Sequence, residues 1–204
     1  MKKGIQVAVQ IGFLALFIFL IMTGRTQMWM GLFLLGIIGS FIFGRVYCGW
    51  VCSINTVLQG VHWIKKKLHI KSRRIPPFLT KPWVRYLALG LFVAAFLVSM
   101  TTGKKLPLLP ALFVGSVALT FFFHEELWHR YLCPYGTILR FPATKSAHFV
   151  HINPEKCNNC GVCKRVCPAK AVEKNARHHE IAKEDCLICM ECIRNCRQDA
   201  ISYQ

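Results

Sequence analysis

Four long apolar stretches, separated by shorter polar segments, dominate the first 123 residues of the chain. They are Ile5–Met22, Met28–Tyr47, Val84–Met100 and Leu106–Phe123. Each is close to the roughly 20 residues that a helix needs to cross the hydrocarbon core of a bilayer. Buried helices of a soluble protein are the alternative, but four such runs with almost no internal charge disfavour it. The pattern predicts four membrane-spanning helices.

The charges between the stretches predict a topology. The turn Thr23–Gln27 carries only Arg25, and the turn Thr101–Lys105 carries Lys104 and Lys105. The segment between the second and third stretches carries eight basic residues: Arg45, Lys65, Lys66, Lys67, Lys71, Arg73, Arg74 and Lys81. Because basic loops stay on the cytoplasmic side, we expect a multi-pass protein of the cytoplasmic (inner) membrane with both termini in the cytoplasm. Lys2 and Lys3 precede the first stretch without a following A-x-A site, which favours a retained anchor over a cleaved signal peptide.

Composition agrees with lipid as the surrounding of the first part of the chain. Hydrophobic residues make up 54% and charged residues 17%, against roughly 25% charged in ordinary soluble domains. Residues 1–149 hold 17 basic and two acidic side chains, whereas residues 150–204 hold nine and seven. The positive excess therefore lies beside the predicted membrane helices, where it suits anionic lipid. A nucleic-acid site would instead place its charge on a soluble face, so no nucleic-acid partner is expected.

Eight of the 11 cysteines form two matching runs near the end of the chain, offset by 29 residues. The runs are Cys157-x2-Cys160-x2-Cys163-x3-Cys167 and Cys186-x2-Cys189-x2-Cys192-x3-Cys196. A disulfide framework needs an oxidising compartment and would not produce so regular a rhythm. Zinc sites prefer paired C-x2-C halves separated by a longer gap. Iron–sulfur ligation is the better interpretation.

The two runs resemble those of two-cluster bacterial ferredoxins over residues 148–204. That resemblance implies two [4Fe–4S] clusters, with the fourth cysteine of each run ligating the other cluster. One cluster would take Cys157, Cys160, Cys163 and Cys196, and the other Cys186, Cys189, Cys192 and Cys167. We expect strands at His148–Ile152 and Ala200–Tyr203, brief helices after Cys160 and Cys189, and a polar linker that carries His178 and His179 on a solvated turn.

Three further cysteines follow the second and fourth predicted spans. Cys48 and Cys52 come directly after the second span, and Cys133 comes after the fourth. Because even-numbered spans end on the same side, these cysteines are expected at the cytoplasmic face. On a helix, the i, i+4 spacing of Cys48 and Cys52, and of His129 and Cys133, would place each pair on one face.

The whole arrangement resembles the NapH/NosR type of membrane polyferredoxin. In that family two C-x3-C-P motifs follow the second and fourth spans, and a two-cluster ferredoxin domain ends the chain. Here Ser53 stands in place of the first proline, and His129 in place of the first cysteine of the second motif. Two interpretations stay open: a third iron–sulfur centre on Cys48, Cys52, Cys133 and His129, or an interfacial histidine and no membrane cluster. Imidazole can replace thiolate on iron, as Rieske centres show.

The predicted fold is therefore a membrane all-α four-helix domain over residues 1–147, followed by a small α+β ferredoxin-like domain over residues 148–204. The resemblance implies single-electron transfer between the quinone pool and a redox protein partner. The chain would act as a subunit of an oxidoreductase system rather than as a stand-alone enzyme. An assembly or regulatory protein for a metalloenzyme and a simple membrane-tethered ferredoxin are the alternatives. No haem is expected, because His62 and His124 lie near the interface and no C-x-x-C-H occurs.

Overall fold

The computed structural model describes residues 3–70, 72–102, 108–175 and 178–204. Four lysines that contribute to the predicted topology lie outside these ranges: Lys2, Lys71, Lys104 and Lys105. The chain divides into two compact units. Unit one combines residues 1–53 with residues 138–204, and unit two contains residues 54–137.

Unit one begins with two apolar helices, α1 (Lys3–Met22) and α2 (Thr26–Phe43). Gly24, with a φ of +69°, makes the turn between them, since glycine adopts this left-handed conformation without a Cβ clash. The two helices pack through Phe17 and Trp29, whose rings meet edge to face with centroids 4.8 Å apart. Both helices are long and apolar enough to cross a membrane.

The sequence predicts one continuous helix over the second apolar stretch, up to Tyr47. The structure differs. Helix α2 ends at Phe43, and Gly44 turns the chain with a φ of +65°. A five-residue π-helix, Tyr47–Val51, then follows; we call it the first π-segment. The apolar pattern continues through this break because Val46 and Trp50 pack against the hydrophobic core of residues 148–204. We call these residues the ferredoxin part, after the resemblance of their cysteine runs.

The last carbonyl groups of α2 are capped by the ferredoxin part of unit one. The end of a helix leaves four backbone carbonyls without an internal partner. Three of them accept hydrogen bonds: Phe41 from the backbone N–H of Ala147, Ile42 from that of His148, and Phe43 from the hydroxyl of Tyr203. The end of α2 and the ferredoxin part therefore form one continuous hydrogen-bonded structure.

The ferredoxin part contains two small antiparallel sheets and two short helices. Strand β1 (Val150–Ile152) pairs with β4 (Ile201–Tyr203), at the positions predicted from the sequence. Helices α7 (Val162–Val166) and α8 (Glu191–Asn195) follow the cysteine loops, also as predicted. The hairpin of β2 (Val172–Lys174) and β3 (His179–Ile181) lies where the sequence predicts only a polar linker. A three-residue strand is too short for its alternation to stand out in the sequence.

Unit two continues with α3 (Ser53–Lys67), a 3-10 turn at Pro77–Thr80, α4 (Pro82–Thr102) and α5 (Leu108–Phe122). A six-residue π-helix, Leu127–Leu132, follows and is called the second π-segment. Helix α6 (Pro134–Ala143) then runs across the border between the units. Helix α4 is long and apolar enough to cross a membrane, whereas α5 is apolar but is described over 15 residues only.

The lysines after the second stretch are not all solvated loop charges. Lys65 is only 5% exposed, and its Nζ donates hydrogen bonds to the carbonyl oxygens of Thr120 at 2.8 Å and Phe123 at 3.3 Å. A third bond reaches the hydroxyl of Ser72 at 2.7 Å. Within unit two, Lys65 therefore caps the C-terminus of α5, where a cation is favoured by the helix dipole.

Candidate metal centres

The eight cysteines of the ferredoxin part line two cavities. One, the first cage, is lined by Cys157, Cys160, Cys163 and Cys196. The other, the second cage, is lined by Cys167, Cys186, Cys189 and Cys192. Their volumes, including the part open to solvent, are about 340 and 360 Å³. Each cage thus combines three cysteines of one run with the fourth cysteine of the other run.

Matching left-handed residues shape the two cysteine loops. In the first run Asn159 and Gly161 have φ values of +59° and +72°. At the equivalent positions of the second run, Ile188 and Met190 have φ values of +52° and +60°. These conformations curl the backbone so that three thiols of each run face one cavity. A short helix then leads to the fourth cysteine, which reaches the other cage.

Burial changes the acidity of the thiols in the second cage. It raises the pKa of Cys186 to about 11 and that of Cys192 to about 12, and it raises the pKa of Cys189 well above its usual value. The Arg45 guanidinium opposes the rise in the pKa of Cys186. Neutral thiols must lose protons to become metal ligands, so occupation of this cage is coupled to proton release. Four thiols around one enclosed cavity form the donor set that a [4Fe–4S] cluster uses.

The first cage has a more polar wall. Asn158, His179 and Gln198 line it together with the cysteines, and Cys160 is exposed. The prediction that His179 lies on a solvated turn is wrong, because its side chain sits in β3 and is 4% exposed. Burial lowers the pKa of His179, which favours its neutral form. Only the unpredicted β2–β3 hairpin could have indicated that His179 faces the cysteines.

In unit one, Cys48 lies buried in the first π-segment and Cys52 follows its end. The backbone N–H of Cys52 donates to the carbonyl oxygen of Tyr47 at 2.9 Å, the i to i+5 bond of a π-turn. An Nη of Arg45, which is 2% exposed, lies 3.8 Å from Cys48 Sγ. Arg45 is therefore a positively charged neighbour of this thiol that spacing alone did not indicate.

In unit two, His129 and Cys133 have the same local backbone conformation as Cys48 and Cys52. His129 is buried in the second π-segment, and the N–H of Cys133 donates to the carbonyl oxygen of Trp128 at 2.9 Å. The backbone N–H of Gly136 donates to Cys133 Sγ at 3.3 Å. Cys133 has extended backbone angles, with φ of −72° and ψ of 111°, close to those of Cys52.

The expectation that each pair shares one face of an α-helix is therefore wrong in its geometry. The first residue of each pair lies in a π-helix, and the second ends it in an extended conformation. Single π-turns occur frequently at functional sites, and the i to i+5 bond cannot be inferred from a four-residue spacing. Over the described ranges, no group of three or more His, Cys, Asp or Glu side chains is arranged to hold a single metal ion.

His62 and His124 lie near one another in unit two, with ring centroids 6.4 Å apart. His62 Nδ1 lies 3.5 Å from a carboxylate oxygen of Glu125. Burial, followed by the charges of Lys65 and Lys66, lowers the pKa of His62. The two histidines thus belong to a charged cluster in unit two. It joins α3, which carries His62, to the short segment between α5 and the second π-segment, which carries His124.

Comparison with protein families finds two iron–sulfur domain models in the chain. The model described as a 4Fe–4S binding domain matches residues 26–71 and residues 106–150, and each match contains one π-segment. The model described as a 4Fe–4S dicluster domain matches residues 149–197, which contain all eight cysteines of the two cages.

Several curated proteins are similar to this chain. An uncharacterised protein of Methanocaldococcus jannaschii is 31% identical over 83% of this chain and 68% of its own length. The putative electron transport protein YccM of Escherichia coli is 26% identical over 78% of this chain and 51% of its own length. The ferredoxin-type protein NapH of Haemophilus influenzae is 28% identical over 78% of this chain and 62% of its own length. The chain thus spans about half to two thirds of these relatives, and no solved structure matches it significantly.

Proposed function

Because the chain belongs to the NapH-type membrane polyferredoxins, we propose that it relays single electrons at a membrane through iron–sulfur clusters held by its own cysteines. The observation that carries this proposal is the sorting of eight cysteines into two cavities of four. When bound, [4Fe–4S] clusters supply one-electron oxidation and reduction, whereas the protein supplies ligands, burial and hydrogen bonds to sulfur.

The ligand sets follow from the cages. Cys157, Cys160, Cys163 and Cys196 would hold one cluster, and Cys167, Cys186, Cys189 and Cys192 the other. Leu187, Val172 and Met190 wall the second cage with buried apolar side chains and exclude water from it. The backbone N–H of Ala171 donates to Cys167 Sγ at 3.3 Å, which orients that ligand and stabilises its thiolate form.

The proposed topology has four spans, with a membrane domain over residues 1–147, a ferredoxin domain over residues 148–204 and both termini in the cytoplasm. Three described helices that suit a bilayer, and the apolar α5 as the fourth, support it. Large apolar side chains on these helices are exposed, as lipid contact requires; they include Met22, Leu35, Ile38, Leu91 and Val114. Reporter fusions after Thr102 and Gln204 test this arrangement, since only the second is expected in the cytoplasm.

The membrane electron partner that we propose is a quinone or quinol, and a soluble redox protein is the second partner. The test uses anaerobically purified protein in lipid nanodiscs, reduced with dithionite and freed of excess reductant. Addition of a quinone should reoxidise the iron–sulfur absorbance faster in the wild type than in a Cys48→Ala/Cys52→Ala variant with intact ferredoxin clusters. Equal rates in the two proteins would leave a tethered ferredoxin as the function. A failure of fully loaded wild type to react with quinone would remove the quinone from the proposal.

The alternative of an assembly or regulatory protein for a metalloenzyme predicts a different behaviour. An assembly protein would transfer iron or sulfide to a client, so its own clusters would disappear as the client is filled. Stable clusters that cycle repeatedly between oxidised and reduced forms are expected from an electron-transfer protein. Counting reduction cycles before iron is lost therefore separates the two functions.

A further inference from the structure

The two cysteine loops of the ferredoxin part differ in their surroundings. In the first run the loop residue Asn158 and the ligand Cys160 are exposed. In the second run every residue from Leu187 to Met190 is buried. The repeat therefore has a polar, open copy and an apolar, covered copy. The two loops have the same cysteine spacing and the same left-handed positions. Their different burial must therefore come from the residues around them.

The second loop has side chains that its own backbone disfavours. Ile188 has a φ of +52°, a conformation that is a genuine outlier for a β-branched residue, whereas the first run has Asn159 at the equivalent position. Met190 likewise replaces Gly161 at a left-handed position. Such residues persist only where the surrounding structure compensates for their strain. Contacts of Ile188 outside its loop must therefore supply the stabilisation.

Those contacts are made with the segment that follows α2 in unit one. Ile188 packs in a core that includes Val46 and Trp50. A Cβ added to Gly44 would lie 2.8 Å from Ile188 Cδ1, and one added to Gly49 would overlap the carbonyl oxygen of Leu187. The two glycines thus form a notch that receives the Leu187–Ile188 peptide. No side chain larger than hydrogen fits at Gly49 without displacing that backbone.

Polar contacts hold the second loop in this notch. Trp50 Nε1 donates to the carbonyl oxygen of Ile188 at 3.1 Å. Arg45, which lies beside Cys48 Sγ, donates through Nη1 to the carbonyl oxygen of Glu184 at 3.2 Å, directly before the second run. These two hydrogen bonds connect the first π-segment and the residue before it with the backbone of the second cysteine run. Arg45 is a positioning residue that contacts both the thiol of Cys48 and the backbone that leads into the second run.

The first cage presents a charged surface instead. Four exposed basic residues and two exposed acidic residues lie within three residues of a cysteine of the first cage: Lys156, Lys164, Arg165, Arg197, Glu155 and Asp199. A net positive surface around an open site attracts a negatively charged partner and raises the encounter rate.

We propose, on the basis of the proposed function, that the two cages of the ferredoxin part exchange electrons with different partners. The second cage faces the end of α2 and the first π-segment, and the first cage is the docking surface for a soluble one-electron redox protein with an acidic contact face. In each encounter one electron would pass between that partner and the [4Fe–4S] cluster that the cysteines of the first cage would hold. One side is oxidised and the other reduced by the same electron, and no bond forms or breaks. The glycine notch and Arg45 position the second cage for exchange with the membrane side.

The orientation is tested on the anaerobic holoprotein in lipid nanodiscs by EPR spectroscopy. The samples are partly reduced, so that about one cluster per chain is paramagnetic and the two signals do not interact. A neutral, water-soluble gadolinium chelate should speed the relaxation of the signal of the first cage much more than that of the other. Gly49→Ala should then shift the g values of the signal that the chelate does not reach, and the reduction potential of the cluster that gives this signal. Gly60→Ala is the matched control, because a Cβ on Gly60 would meet nothing within 4 Å.

Two outcomes of this experiment would overturn the orientation: equal relaxation of both signals, or a Gly49→Ala shift confined to the signal that the chelate reaches. Both leave the proposed function intact, since both clusters are then assembled. Absence of the clusters from iron-replete wild type would instead contradict the proposed function itself. The iron content of each sample therefore distinguishes the two failures.

The docking surface is tested with an acidic soluble [2Fe–2S] ferredoxin as the probe. Lys164→Glu/Arg165→Glu should lower the rate constant for electron exchange with this probe by about tenfold at low salt, and the difference should shrink at high salt. Lys66→Glu/Lys67→Glu, at two exposed lysines of unit two, is the charge-matched control and should have little effect. A rate constant unchanged in the double variant would overturn the docking surface.

Discussion

The side-chain amide of Gln10 donates a hydrogen bond to the backbone carbonyl oxygen of Gly49, with an N–O distance of 2.8 Å. Gln6, one turn earlier on α1, donates to the same oxygen at 3.1 Å. Both glutamines are 3% exposed, although they lie on a helix that is otherwise apolar. Gly49 lies in the last turn of the first π-segment, where backbone carbonyl groups have no partner within the helix, so α1 supplies side-chain donors at this point.

The shared acceptor predicts a non-additive response to substitution. Gln6→Met or Gln10→Met alone leaves Gly49 with one donor and should lower the free energy of unfolding by about 1 kcal/mol. The double variant leaves a buried carbonyl unsatisfied and should lose more than the sum of the single changes, with a coupling of about 1 kcal/mol. Titration with SDS in mixed micelles measures this cycle, and Gln27→Met, at an exposed site, is the control. Additive losses would show that Gly49 does not depend on the pair.

Lys65 provides a second test, within unit two. Lys65→Met should remove the donor of the carbonyl groups at the end of α5 and lower the free energy of unfolding by about 1–3 kcal/mol. Lys66→Met changes an exposed neighbour in the same way and should have almost no effect. The same SDS titration measures both variants. Equal losses would mean that charge density, and not the cap, explains the effect of Lys65.

The fold and the sites differ in how far the sequence predicts them. Apolar runs and the cysteine rhythm are strong local signals, so the long helices and the positions of β1 and β4 could be predicted. The break at Gly44 and both π-segments could not, because hydrophobicity continues through them and a π-turn has no spacing of its own. Burial of His179 depends on a short hairpin, and that of Lys65 on carbonyl groups more than 50 residues away. Such contacts arise from tertiary packing, which overrides local patterns.

The membrane cysteines remain a prediction with a defined measurement. If Cys48, Cys52, Cys133 and His129 hold a third [4Fe–4S] centre, the iron content of the wild type should approach about 12 Fe. It should fall by about 4 Fe in a Cys48→Ala/Cys52→Ala variant that inserts normally. His129→Cys should keep the extra iron and lower its reduction potential, because imidazole ligation raises the potential of such centres. Identical iron content and EPR spectra in wild type and double variant would eliminate this centre.

Iron and acid-labile sulfide analysis of that Cys48→Ala/Cys52→Ala variant, together with EPR of the dithionite-reduced protein, tests whether each of the two cages holds a [4Fe–4S] cluster. With the membrane cysteines removed, two cages of four cysteines should hold about 8 Fe and 8 sulfides per chain and give the interacting signals of two reduced [4Fe–4S] clusters. An additional Cys196→Ala change should perturb the cluster of the first cage, although Cys196 belongs to the second run. About 4 Fe or less in the iron-replete double variant, or zinc in place of iron, would show that the two cages do not each hold a [4Fe–4S] cluster.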